Sequence, residues 1–501
     1  MSESLFTRFR AQQWNDAQPL LYTVDGAVIT YGDALRRSAQ FARALTGVGV
    51  RPGDRVVVQT GKHADTLLLY LACLRAGCIY VPLNPAYTQA ELEYFIGDAE
   101  PALVVCTPPR EAALRPLAGA AALATLAADG AGSLQAQADR QGADFTDVPR
   151  GSADPAAILY TSGTTGRSKG AVLTQGNLAS NCFALKDYWR FEASDVLLHA
   201  LPIFHTHGLF VATNTILAAG AGMILLPKFD TALIRQWLPR ATVLMGVPTF
   251  YTRLLQETWL DAEATARMRL FVSGSAPLLA ETHRAWRERT GHAILERYGM
   301  TETNMNASNP YDGERIPGTV GLPLPGVSLR VTDLESGAPL PPGEIGMLEV
   351  AGPNVFSGYW RMPAKTKEEF RDDGYFITGD IGLIDPRGYV HIVGRGKDLV
   401  ISGGFNVYPK EVETALDDLP GVLESAVFGV PHADFGEGVT AAVVPQSGAA
   451  PDEAELLSRL RERLAAYKLP KRIVFVDELP RNTMGKVQKN VLRETYAGLY
   501  R

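Results

Sequence analysis

The sequence predicts an α/β fold: a large N-terminal domain of α/β sheets with a β-rich subdomain, and a small α+β C-terminal domain. Three observations carry this reading. Short apolar strands alternate with helices in the first 150 residues and again from Ala156, the signature of parallel sheet. Proline and glycine then rise in "SGAPLPPGEIGMLEV", where hairpins take over from helices. After "GRGKDLV" the chain changes character again, into a module of about 105 residues, a usual domain size.

The elements follow in order. "DRVVVQTG" (Asp54 to Gly61) reads as a strand ended by glycine. "ADTLLLYLACLRAG" (Ala64 to Gly77) reads as an apolar helix stopped by Gly77. "CIYVPLNP" and "PALVVCTP" are further strands, the first closed by Pro82 and Pro85. The Ala/Gly-rich run "AGAAALATLAADGAGSLQAQADRQGADFTD" lacks a clear period and reads as a variable surface segment. "AAILY" restores the strand pattern, which continues to about residue 393. "EVETALDDLPGVLESAVFGVPH", "ELLSRLRERLAAYKLP" and "RIVFVDELP" supply helices and strands of the last module. Its boundary is placed between residues 396 and 397, giving domains 1–396 and 397–501.

Composition narrows the function. A net charge of −6 with no long basic run argues against a general nucleic-acid binder. Cys73, Cys78, Cys106 and Cys182 are scattered, with no CxxC or Cys/His cluster, and read as buried thiols rather than metal ligands. The start "MSESLFTRFRAQQW" has no basic-then-apolar leader, and no stretch approaches 18 uncharged apolar residues. The expectation is a cytoplasmic protein without a membrane span.

The stretch richest in chemistry is "YTSGTTGRSKG", Tyr160 to Gly170. It is not a Walker loop: Lys169 follows Ser168, and Gly170 stands where that loop needs a magnesium-binding hydroxyl. Gly163 and Gly166 let backbone N–H groups approach an anion, and Thr161, Ser162, Thr164 and Thr165 add hydroxyl donors. The reading is a phosphate cradle of another design; the alternative is a solvated Gly/Ser/Thr loop. "RYGMTET" (Arg297 to Thr303) offers an aromatic face, a glycine, hydroxyls and a carboxylate. "YFITGD" ends a strand in Asp380, a suitable partner for two ribose hydroxyls or a plain turn acid. "GRGKDLVISGGFNVYP" places cations and four glycines at the domain boundary, and "PRNTMGKVQK" sets Lys486 in a polar loop.

In this order, and over essentially the whole chain, these motifs together with "LPIFHTHG" resemble the acyl-CoA synthetases of the adenylate-forming superfamily. The resemblance implies the adenylate-forming enzyme fold and a two-step, AMP-forming acid–thiol ligation. A carboxylate attacks the α-phosphate of ATP, and CoA thiol then attacks the acyl-adenylate. Carried onto matching positions, it implies that the Thr161–Gly166 loop and Lys169 grip the β- and γ-phosphates. Tyr298 stacks on adenine beside Gly299, with Gly274, Ser275 and Ala276 bordering it. Thr301 touches phosphate, Glu302 holds Mg²⁺, Asp380 and Arg395 bind ribose, and Lys486 reaches the attacking carboxylate and the α-phosphate. His205 matches the motif histidine. Lys397 stands at the hinge about which the small domain rotates, and Gly403 and Gly404 then face the pantetheine tunnel.

The acyl pocket is expected between "LPIFHTHGLF" and "GVPTFYTRLL". Arg253 there, on a probable helix with Thr249 and Phe250 on the same face, and His207, extra to the usual motif, suit a second carboxylate. The alternative has Arg253 in water and His207 packed. These stretches and "YGMTETNMNASNP" resemble malonyl-CoA synthetases, which implies malonate as the acid, with methylmalonate a secondary substrate. The alternatives are a CoA ligase for another short, fatty or aromatic acid, or an adenylation protein loading a carrier. The resemblance also implies control by a lysine acetyltransferase and deacetylase acting on Lys486.

Overall fold

The structure, a computed structural model, describes residues 3–161, 168–402, 405–432, 434–464, 466–482 and 485–500. Two large sheets dominate. The first has seven strands in the order Gly358–Tyr359, Lys169–Thr174, Pro155–Thr161, Ile79–Pro82, Arg55–Gln59, Leu103–Cys106 and Ala122–Thr125. Its central strands pair in parallel and are apolar on both faces, as a sheet covered on both sides requires. The second has nine strands, running from Leu322–Pro323 through Leu295–Met300, Leu270–Ser273 and Val243–Gly246 to Val28–Thr30.

Helices Tyr31–Gly47, Ala64–Ala76 and Gln175–Tyr188 share one core with side chains of both sheets and so lie between them. The helix Ala64–Ala76 is apolar nearly all round because both its flanks are buried. It ends at Gly77, whose φ of 70° is the left-handed cap the sequence predicts.

One stretch departs from expectation. The Ala/Gly-rich run supplies the edge strand Ala122–Thr125, in parallel register with Leu103–Cys106, and a short helix Ser133–Ala138 that buries Leu134. A four-residue edge strand is too short to show a period, and alanine hides which face is buried.

The predicted hairpin region is a four-stranded antiparallel sheet of Ser328–Thr332, Gly346–Ala351, Phe376–Ile384 and Val390–Arg395. A short turn, Gly396–Asp398, leads out of it. Beyond lies a five-stranded sheet built on the long hairpin Val422–His432 and Gly436–Pro445. Its two apolar clusters draw only on residues 400–500. Among the described residues, no helix is long and apolar enough to cross a membrane.

Candidate active site

The sheets, the hairpin subdomain and the C-terminal sheet bring most of the singled-out residues into one cleft. The glycine-rich segment joins two antiparallel strands, with Thr161 opposite Lys169 and Tyr160 opposite Gly170. The chain beyond it therefore resumes as a strand, where a Walker loop opens a helix. Ser162, Gly163, Thr164, Thr165 and Gly166, like Gly403 and Gly404, lie outside the described residues.

Lys169, at the start of its strand, donates to Glu369 at 2.8 Å and stands 4.0 Å over the Tyr359 ring. The Tyr359 hydroxyl reaches Glu369 at 2.6 Å and Glu302 at 3.0 Å, one proton between two carboxylates. Burial pushes the Glu302 carboxyl above the usual range. Burial opposes the charge of Glu369 too, but hydrogen bonds from Lys169 and Tyr359 outweigh it and lower its pKa. Thr301, half-buried, adjoins Glu302. A buried acid short of cationic partners is what a hard divalent cation would neutralise, so Glu302 fits Mg²⁺.

On the far side of the cleft, Asp380 and Arg395 lie opposite each other on adjacent antiparallel strands, and their side chains pair at 2.6 Å. The Asp380 partner raises the Arg395 pKa further. Tyr298 donates its hydroxyl to the other Asp380 oxygen at 2.5 Å, its ring packed among Ala307, Val331, Leu348 and Val390. A β-carbon on Gly299 would come within 1.9 Å of the Asn304 carbonyl, so the tight Leu295–Met300 to Asn304–Ser308 hairpin admits only glycine there.

Lys486 enters this cleft from the C-terminal sheet. It is water-accessible, yet protein walls surround it: burial, and then the Arg395 charge, depress its pKa to about 8. A β-carbon on the preceding Gly485 would touch Thr249 at 3.3 Å, so the lysine loop abuts the helix Pro248–Leu255. Lys397 is exposed in the turn Gly396–Asp398, its pKa lowered by partial burial.

The expected acyl side shows a different electrostatic state. His207 begins a wide helical segment, His207–Thr213, and is buried, with Nδ1 3.2 Å from Ser275 and Nε2 without a partner. Burial, and then the Arg297 charge, keep its imidazole neutral. His205 is likewise neutral, burial holding its pKa at about 4. Arg297 is only 4% exposed, yet among the described residues its Nε and Nη2 have no hydrogen-bond partner. Burial depresses its pKa to about 9. Its guanidinium lies on Gly274, where a β-carbon would fall 2.3 Å from Cζ. Ser275, next in line, sits at a φ of 71°, and Ala276 follows half-buried. Arg253 is exposed on the helix Pro248–Leu255, its guanidinium 6.0 Å from the Phe229 ring centroid, and Phe229 stacks on Phe250.

Sequence reasoning missed three of these groups. Arg297 stood inside a quoted motif with no role; nothing in its neighbours signals that it would be buried with unpaired N–H groups. Glu369 and Tyr359 lie some two hundred residues from Lys169, in a region without a distinctive motif.

A buried Asp380–Arg395 pair, Lys169 at the start of its strand and Lys486 near Arg395 are the arrangement in which the comparisons with known proteins find an adenylate-forming enzyme. The chain belongs to the AMP-binding enzyme family, whose model matches residues 8–360, with the AMP-binding enzyme C-terminal domain matched over 411–486. It is 38% identical to the feruloyl-CoA synthase of an Amycolatopsis species, over 94% of each chain. It is 35% identical to the malonate–CoA ligase of Arabidopsis thaliana, over 99% of this chain and 89% of that one. Among solved structures, ATP-bound MatB from Rhodopseudomonas palustris is 61% identical over the whole of both chains, with a TM-score of 0.98; apo MatB superposes with 0.88.

Proposed function

We propose that this protein is an ATP-dependent malonyl-CoA synthetase, making malonyl-CoA from malonate, ATP and CoA with release of AMP and pyrophosphate. The observation that carries the acid is Arg297: a buried guanidinium with unpartnered N–H groups, beside the neutral His207. A buried cation without a counter-ion is costly, and an anionic group on the substrate would remove that cost. A monocarboxylate spends its one charge on adenylation; a dicarboxylate has a second for Arg297. Arg253, one turn from Thr249 and the lysine loop, would approach the same carboxylate from the open side. The Arabidopsis malonate–CoA ligase supports the same reading; the feruloyl-CoA synthase favours an aromatic acid, which would leave Arg297 unpaired.

In the first step Lys486 lies between the attacking carboxylate and the α-phosphate and offsets their repulsion. Asp380 and Arg395 hold the ribose, Tyr298 the adenine, and Lys169 with the glycine-rich segment Thr161–Gly166 the departing phosphates. Mg²⁺ on Glu302 would add charge neutralisation at those phosphates. For the second step we place a hinge at Lys397, between domains 1–396 and 397–501. Rotation there withdraws Lys486 and brings Gly403 and Gly404 to the CoA thiol. The separate apolar cores of residues 400–500 support a small domain that moves as a unit. We assign His205, half-buried beside Phe204, to the wall facing the acyl group.

Reversible acetylation of Lys486, by a lysine acetyltransferase and deacetylase in the cytoplasm, would switch the enzyme off by removing the charge. Its access to water and depressed pKa, which leaves more free amine, support this. Full activity with Lys486 stoichiometrically acetylated, by mass spectrometry, would remove it.

The test of the main reading is exchange of labelled pyrophosphate into ATP with malonate, methylmalonate, acetate, ferulate and benzoate, followed by CoA addition. Malonate should lead, with thioester forming only after CoA. Preference for ferulate or acetate would overturn it.

A further inference from the structure

The C-terminal sheet offers a cluster of ions that the reaction does not use. The lysine loop is a tight hairpin: the Gln488 N–H donates to the Pro480 carbonyl at 2.7 Å, and Arg481 bridges to Val487. Inside it, the Asn482 N–H donates to the Lys486 carbonyl at 2.9 Å, and the Lys486 N–H to the Asn482 side chain at 2.9 Å. Gly485 takes a φ of 74°, the left-handed turn that aims the next residue outward. These bonds shape the hairpin but do not fix it to the sheet below.

The hairpin is held to the sheet by Val487, which packs against its apolar cluster, and by two ion pairs. Arg481 donates Nη1 to the Gly485 carbonyl at 2.7 Å, and so holds the residue next to Lys486. Its Nη2 pairs with Glu424, on strand Val422–His432. On the other side of the hairpin Lys489 pairs with Glu413 at 2.5 Å. Glu413 belongs to the helix Pro409–Asp417, is buried, and also accepts the Val427 N–H at 2.9 Å. The two acids thus stand on a helix and on the strand it packs against, and the two cations flank Lys486 at five residues before and three after.

We infer that Arg481–Glu424 and Lys489–Glu413 form a two-point ionic clamp that positions Lys486 for adenylate formation. Arg481 is the sharper half because one guanidinium ties the Gly485 carbonyl to the sheet. A lysine on a loose loop would lose its register with the α-phosphate, and a misplacement of about 1 Å costs up to about 100-fold in rate. Arg481, Glu424, Lys489 and Glu413 are positioning residues and touch no reactant. The inference rests on the reading that Lys486 serves the first half-reaction.

The test uses the full chain and two assays. Malonate-dependent exchange of pyrophosphate into ATP reports adenylation, and CoA thioester formation from supplied malonyl-adenylate reports the second step. Arg481→Gln should lower exchange about 10- to 100-fold with the KM for ATP within about twofold, and spare the second step within about twofold. Arg481→Lys, keeping the Glu424 partner, should recover part of the loss. Glu424→Gln and Lys489→Gln should each lower exchange less, and Arg481→Gln with Glu424→Gln should cost no more than Arg481→Gln alone. Lys486→Ala runs beside them. If it spares exchange, the reading of Lys486 fails. If Lys486→Ala abolishes exchange while Arg481→Gln and Lys489→Gln stay within twofold of the parent, the clamp is overturned. Equal loss of both half-reactions, with no recovery in Arg481→Lys, would assign Arg481 to general stability and overturn it too.

Discussion

The two sides of the cleft solve opposite problems. Where nucleotide is proposed to bind, the charges are already paired: Asp380 with Arg395 and Tyr298, Lys169 with Glu369. Those side chains are held in place by one another, so little reorganisation is needed when ATP arrives. Where the acid is proposed to bind, Arg297 and His207 are buried with unpartnered nitrogens. The paired half is a frame suited to any acid; the unpaired half is a vacancy of defined charge. The difference teaches where selectivity resides. A pocket that must be completed by an anion rejects an uncharged tail through the cost of leaving the cation unsatisfied.

The largest effect should come from Lys486, the cation proposed to enter the frame for the first step. Lys486→Ala should lower malonate-dependent pyrophosphate exchange about 100- to 1,000-fold, the size of losing one aligned electrostatic donor. Thioester formation from supplied malonyl-adenylate should change little. Parallel loss of both steps would show that Lys486 acts beyond adenylation.

Next comes the vacancy. Arg297→Met should cost malonate about 2–5 kcal/mol in kcat/KM while the KM for ATP moves by less than about threefold. Arg253→Ala should cost less, about 1 kcal/mol, because Arg253 is exposed and screened. The ranking is the informative part: an Arg253 loss equal to or above that of Arg297 would move the distal carboxylate to the open side of the pocket. A further gain for acetate in Arg297→Met, measured by the same exchange, would sharpen the contrast.

A smaller and different effect is expected at the turn Gly396–Asp398. Proline holds φ near about −65° and restricts rotation. Lys397→Pro should leave exchange within about threefold and slow overall CoA ligation about 10-fold or more. Full turnover with proline in place would put the pivot elsewhere.

Much of this was legible before the structure. The strands "RVVVQ" and "LVVC" and the Gly77 cap announce themselves through unbroken apolar runs and a stop residue, since burial on both faces needs no period to be seen. The frame was legible for the same kind of reason: Asp380, Arg395 and Lys486 sit in short motifs whose composition has few other uses. What stayed hidden depends on distance or on absence. Glu369 meets Lys169 only because the hairpin subdomain folds back onto the first sheet. That Arg297 lacks a partner is a property of everything around it, and no local window carries it. Arg253, chosen from its helical face with Thr249 and Phe250, does sit on the helix Pro248–Leu255, but its guanidinium is exposed, near the ring of Phe229, which comes from another segment. The edge strand Ala122–Thr125 was lost to alanine, which marks neither face.

The smallest effect is one of pH, and it again separates the two sides. Lys486 works as a cation, and its pKa in the free enzyme is lowered to about 8, first by burial and then by the Arg395 charge. For a base whose pKa is depressed, the protonated form is complete well below that value and disappears as pH rises through it. The kcat/KM for ATP should therefore be flat from about pH 6.5 to 7.5 and fall towards tenfold per unit above pH 8. Bound phosphates add negative charge beside the lysine and favour its protonation, so the same limb in kcat should lie at higher pH. Lys486→Arg keeps its charge over this range and should flatten both limbs, at a lower plateau because guanidinium geometry differs. Arg297, depressed only to about 9, should leave the KM for malonate steady until that pH is approached. If the ATP limb stayed level to pH 10, Lys486 would be a better solvated cation than its walls imply. If instead the KM for malonate rose first, the unpaired side would be the more weakly protonated of the two, and the contrast between frame and vacancy would have to be drawn the other way round.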